Sequence, residues 1–253
     1  MSQDLISQAQ WIRRFHPSAD SRLRLICLPH AGGSASFYFP ASEALSPTIE
    51  VLAVQYPGRQ DRRFEPCLAS IADLADGVFA ALEPSLGEHP IAIFGHSMGA
   101  IVGYELARRL ETGAGIAPVR LFASGRRPPA NWRQEHVHRL TNEGIVAELQ
   151  RLNGTHSRLL ADQDMLRSIL PALRADYRAI ETYRHLEGPV LGCPITVLVG
   201  DADPTTGIED AYAWQAHTTG ACDVRVFTGG HFFMSDQPTK VVDLISNVLL
   251  PER

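Results

Sequence analysis

Three short stretches carry side chains suited to one piece of chemistry: Gly95-His96-Ser97-Met98-Gly99, Gly200-Asp201-Ala202-Asp203-Pro204 and Gly229-Gly230-His231-Phe232-Phe233. A serine hydroxyl attacks a carbonyl when a base takes its proton, a carboxylate orients that base, and N–H donors receive the oxyanion. Ser97, an aspartate and His231 supply the three groups, in the chain order of serine hydrolases built on a strand–turn–helix nucleophile. Two aspartates compete for the acid. Side chains two apart in extended backbone point to the same side, but in a tight loop only one of the pair need face His231. Asp203 is favoured because it lies deeper in the loop and Pro204 fixes the backbone after it. Asp201 then forms the turn, and it stays the alternative acid. One oxyanion N–H falls on Met98, the residue after the nucleophile; the other falls on the early loop His30-Ala31-Gly32-Gly33, with Ala31 the expected donor.

These groups need elements to hold them. Ile91-Ala92-Ile93-Phe94 reads as a buried strand and Ile101 to Ala107 as a helix, so Gly-x-Ser-x-Gly sits at a strand–turn–helix junction. Glycine is required at Gly95 and Gly99, where a Cβ would strike strand or helix. Further strands are expected at 23–29, 49–54, 119–124, 195–200 and 223–227, with a helix from Leu68 to Leu86. Strands alternating with helices imply an α/β fold, a mostly parallel central sheet flanked by helices. Residues 1–20 read as a polar lead-in pinned by Trp11, Ile12 and Phe15.

The stretch between Ser124 and Pro194, about 70 residues, exceeds what one crossover needs. Asn142–Asn153 and Asp162–His185 look helical inside it, with a break at Asn153-Gly154. The expectation is one domain over 1–253 with a helical lid insertion at approximately 126–190.

The 253 residues are 45% hydrophobic and 20% charged, a globular composition, and the formal charge of −5 argues against nucleic-acid or anionic-membrane binding. The start of the chain has no signal-peptide apolar core, and no run is long enough for a membrane span. Four dispersed cysteines (Cys27, Cys67, Cys193, Cys222) suit reduced thiols and a cytoplasmic location. His136 and His138 lack a third ligand at metal spacing, so no metal site is expected. A monomer is the default.

PHAGGSASFY at 29–38, QYPGRQDR at 55–62, FGHSMGA at 94–100, GDADP at 200–204 and GGHFF at 229–233 resemble the type II thioesterases of nonribosomal peptide and polyketide synthases, in the α/β-hydrolase superfamily. The resemblance runs from about Arg13 to Leu249. It implies Ser97 as nucleophile, His231 as base, Asp203 as acid, and Ala31 and Met98 as oxyanion donors. It further implies an editing enzyme that clears misprimed or stalled acyl groups from the 4′-phosphopantetheine arm of a carrier domain, with no cofactor of its own. Carrier domains tend to be acidic, so a basic docking rim is expected, drawn from Arg59, Arg62, Arg63, Arg126, Arg127 and Arg133. The competing readings are a general carboxylesterase with the same triad and a non-catalytic binding protein on the same scaffold.

Overall fold

The apolar runs form the strands of one seven-stranded sheet in a computed structural model that describes residues 10–152 and 163–250. The strands are β1 (Ile12–Arg13), β2 (Leu23–Leu28), β3 (Ile49–Val54), β4 (Ile91–His96), β5 (Arg120–Ser124), β6 (Ile195–Gly200) and β7 (Cys222–Phe227). Their spatial order is β1-β3-β2-β4-β5-β6-β7. Every pairing is parallel except β1 against β3. The helices are α1 (Phe39–Leu45), α2 (Ile71–Leu82), α3 (Met98–Gly113), α4 (Asn142–Arg151), α5 (Gln163–Thr182), α6 (Ile208–Tyr212), α7 (Phe233–Asp236) and α8 (Pro238–Leu249).

Because side chains alternate along a strand, each strand feeds two cores. Ile26, Leu28, Ile93, Leu121 and Val197 face α2 and α3, while Leu25, Cys27, Phe94, Phe122 and Leu198 face α1 and α8. Both faces are covered, which explains why the central strands read as unbroken apolar runs. Parallel strands all end on the same side, and the loops after β2, β4, β6 and β7 gather there.

Several elements differ from the sequence expectations. Part of the lead-in is itself a strand: Ile12 pairs with Val54, and the Gln55 N–H donates to the Trp11 carbonyl at 2.8 Å. Its two-residue length left no periodicity to read. The helix expected over 68–86 begins later, where the Ser70 hydroxyl caps it by accepting from the Asp73 N–H at 3.4 Å, and it ends in a single 3₁₀ turn at Glu83–Ser85. Between β5 and β6, α4 and α5 pack through Ile145, Leu149, Leu170 and Leu173 into a third small core that touches Ala31. The expected break at Asn153-Gly154 lies outside the described residues. Among the described residues no helix is long and apolar enough to cross a membrane.

Candidate active site

The turn between β4 and α3 leaves no room for side chains at its glycines. A Cβ on Gly95 would lie 2.1 Å from the Gly99 carbonyl oxygen, and one on Gly99 would lie 2.1 Å from that of Leu28. Between them Ser97 adopts φ 55°, ψ −117°, a left-handed conformation unusual for a non-glycine residue. The Ser97 N–H donates to the Ser124 carbonyl at 2.7 Å, which ties the strained turn to β5. The hydroxyl is thereby presented at the N-terminus of α3, where free N–H groups and the helix dipole favour negative charge.

His231 follows β7 and Asp203 follows β6. The His231 Nδ1 lies 2.8 Å from Asp203 Oδ2, and both side chains are buried. The other carboxylate oxygen accepts from the Thr205 N–H and hydroxyl, each at 2.8 Å. Burial alone would raise the Asp203 carboxyl; the His231 bond and charge and the Thr205 donors outweigh it and hold the group below its ordinary value. With its Nδ1–H directed at Asp203, the imidazole keeps Nε2 free to accept a proton. Asp201 points elsewhere: its Oδ1 accepts from the Gly229 N–H at 2.9 Å, fastening the two loops together. They approach so closely that a Cβ on Gly200 would lie 2.5 Å from the Gly229 and Gly230 carbonyl oxygens.

The loop bearing Ala31 is held by the Gln55–Gln60 turn. Buried Gln55 accepts from the Ala35 N–H at 2.9 Å and donates to the Arg59 carbonyl at 3.2 Å. Gln60 donates to the hydroxyls of Ser34 and Ser36 at 2.8 Å. Below the loop, Arg59 and Asp176 of α5 form a bidentate ion pair at 2.6 and 2.9 Å, with Asp176 fully buried. Asp176 also accepts from the Gly32 N–H at 2.8 Å, and Arg59 donates to the Gly33 carbonyl at 3.2 Å. Removing one partner of such a pair strands a buried charge. Asp176→Ala is therefore expected to cost about 3–5 kcal/mol in urea denaturation, and the double variant Arg59→Met/Asp176→Leu to recover part of it.

A cavity of about 270 Å³ connects these pieces. Ala31, Ser97, Met98 and His231 line it together with Leu149, Leu152, Tyr177 and Ile180 from α4, α5 and the residue after α4. Arg126, Glu135, Glu148 and Glu181 add charge to its lining. Glu181 is itself engaged, accepting from the Val137 and His138 N–H groups at 2.7 and 3.1 Å.

Of the arginines expected to form a docking rim, three are internal. Arg59 pairs with Asp176, Arg62 with Glu65 and Arg127 with Glu135, all with buried guanidiniums. Long polar heads at strand ends can satisfy loops as readily as solvent, and here they tie loops together. Arg126 lines the cavity beside Ser97 and His231. Arg63 and Arg133 are exposed, Arg133 in a bidentate pair with Asp210. The sequence reading also overlooked Asp176 and Glu181. Their signal was present, since both interrupt the apolar face of α5 among Leu173, Tyr177 and Ile180.

Two more histidines crowd the site. His30 and His96 are 5.9 Å apart between ring centroids, and His96 is 5.0 Å from His231. Burial, then the charges of His231 and Arg59, push His30 down to about 3; burial, His231 and His30 likewise hold His96 well below its ordinary value. Unfolding returns both to about 6.5, so the unfolded chain binds more protons between the folded and unfolded values, and stability rises with pH there. This contribution is complete above about pH 6.5 and is lost as pH falls; depressed Asp203 acts in the same direction at lower pH. Melting temperature is expected to hold steady above about pH 7 and to decline progressively below about pH 6.5, measured by circular dichroism.

The sequence model of the thioesterase domain family matches residues 23–249. The chain belongs to the thioesterase family. It is 49% identical to thioesterase PikA5 of Streptomyces venezuelae over 98% of this chain and 88% of that one. Among solved structures, the type II thioesterase BorB from the borrelidin biosynthetic cluster superposes with a TM-score of 0.89 at 47% identity, covering 94% of this chain and 97% of that one. RedJ, a thioesterase from the prodiginine pathway of Streptomyces coelicolor, gives 0.87 at 34% identity over 92% and 88%. This thioesterase thus has the α/β-hydrolase fold of its relatives.

Proposed function

We propose that this thioesterase is a type II enzyme that hydrolyses acyl groups from the phosphopantetheine arm of a synthase carrier domain, clearing misprimed or stalled chains. The observation carrying the mechanism is the Asp203–His231 hydrogen bond at the edge of a cavity that Ser97 also lines. The relatives from borrelidin and prodiginine clusters support the substrate class.

Ser97 Oγ attacks the thioester carbonyl while its proton passes to His231 Nε2, and Asp203 stabilises the imidazolium through Nδ1. The Met98 and Ala31 N–H groups receive the oxyanion; one such donor is worth about 3–4 kcal/mol in the transition state. Collapse breaks the C–S bond, and the departing sulfur takes the proton from Nε2, regenerating the free arm thiol. Water then attacks the acyl-enzyme, giving its proton to Nε2, and the acid leaves as Ser97 is restored. The chemistry draws on side chains, backbone and water. The segment at approximately 126–190 acts as a lid within a single domain, with Leu149, Tyr177 and Ile180 of its described helices α4 and α5 offering apolar surface to the acyl chain.

The decisive experiment compares release of free acid from an acyl-carrier thioester with turnover of a p-nitrophenyl ester of the same acyl group. Faster turnover of the carrier-bound group is expected. Good ester turnover with an untouched carrier would replace this reading with a general carboxylesterase.

A further inference from the structure

With three of the anticipated rim arginines internal, positive charge concentrates elsewhere. A second cleft, about 600 Å³, runs between α5 and the loop before α2. Its lining includes Cys67, His138, Arg139, Arg174 and Arg178, and among the described residues that line it none is acidic. Arg174 is fixed by donating to the His138 and Leu140 carbonyls at 2.7 Å and to Asn142 at 2.9 Å, none of which neutralises it. Arg139 and Arg178 are exposed, and among the described residues neither is paired with a carboxylate. On a chain of net charge −5 this is a local reversal of sign.

An exposed aromatic side chain lies close in the chain to the cleft-lining Cys67. Phe64, three residues before Cys67, is 84% exposed, and the Arg63 guanidinium lies 4.4 Å from its ring centroid. Aromatic and arginine side chains together are the composition of an interface centre, where bare charged surface would show neither a free ring nor a cleft. Position completes the case. One helix separates the cleft from the catalytic cavity: Tyr177, Ile180 and Glu181 of α5 line the cavity, while Arg174 and Arg178 line the cleft. Likewise Val137 faces the cavity and His138 and Arg139 the cleft.

We infer that the cleft of Arg139, Arg174 and Arg178, together with the exposed Phe64, is the docking surface for an acidic face of the carrier domain. This inference rests on the carrier-thioesterase reading above and specifies where that partner binds. A carrier seated there has its flexible arm one helix diameter, roughly 10 Å, from the cavity. Opposite charge across the contact would speed encounter and make it salt-dependent.

The test uses the intact protein with Arg139→Glu/Arg178→Glu and, separately, Phe64→Ser. Arg174 is left in place because it anchors the 138–142 loop. Each variant is assayed on an acyl-carrier protein and on the N-acetylcysteamine thioester of the same acyl group. The expected result is a KM for the carrier raised about tenfold or more by the double reversal, with kcat and small-thioester turnover unchanged and the salt dependence of carrier turnover flattened. Phe64→Ser should raise the carrier KM without altering salt dependence. An unchanged carrier KM, or an equal loss on both substrates, overturns the docking surface. Failure of the unmutated protein on the carrier, with activity on the small thioester, overturns the functional reading itself.

Discussion

Ser97→Ala is expected to lower kcat about a millionfold on every thioester, the scale seen when a serine nucleophile is removed from an intact triad and oxyanion hole. The fold should survive. The turn is held by backbone, through the Ser97 N–H on the Ser124 carbonyl and the Ala100 N–H on the Ser97 carbonyl at 3.0 Å, and alanine keeps both. Melting temperature should therefore stay close to that of the unmutated protein while acid release vanishes. Activity within a hundredfold of the original would mean that another group attacks the thioester, and the assignment of Ser97 would fall. Tight retention of acyl-carrier by the inactive variant, seen in a binding assay, would at the same time separate recognition from chemistry.

Asp203→Asn is expected to reduce kcat about 10⁴-fold, whereas Asp201→Asn should change it little. The difference follows from Thr205. Its N–H and hydroxyl both require an acceptor, so an asparagine at 203 keeps its carbonyl oxygen toward Thr205 and turns its NH₂ toward His231. The imidazole would then have to accept at Nδ1 and carry its proton on Nε2, the tautomer that cannot take the serine proton. At 201 an asparagine still offers Oδ1 to the Gly229 N–H, so the stapled loops keep their shape. Side-by-side single-turnover assays decide it, and a reversed pattern would make Asp201 the acid.

Much of this was legible from residue order. The β4–α3 turn announced itself because glycines 95 and 99 flank a serine between an apolar run and a helical one, and the strand assignments followed from short, unbroken apolar runs. For the acid, residue order favoured Asp203 but kept Asp201 as the alternative, because spacing within a tight loop does not by itself say which carboxylate meets a histidine 28 residues on. Tertiary pairing was hidden altogether. Nothing local to Arg59 shows that its partner is Asp176, 117 residues away. Arg59 reads as solvent-facing for the same reason, whereas Arg62 and Arg127 are buried against Glu65 and Glu135, carboxylates nearer in the chain whose pairing depends on how their loops fold back. The β1 edge strand was too short for any pattern.

The Arg59–Asp176 pair also bears on how such enzymes can be recombined. One partner belongs to the turn after β3 and the other to α5, so the segment between β5 and β6 is not a detachable module. A chimera that imports this segment from another thioesterase to alter acyl preference must bring a carboxylate to position 176, or replace Arg59 together with it. Otherwise the graft leaves a guanidinium sealed beneath the loop bearing Ala31, and the new acyl pocket would be assembled beside a displaced Ala31 N–H, the proposed oxyanion donor.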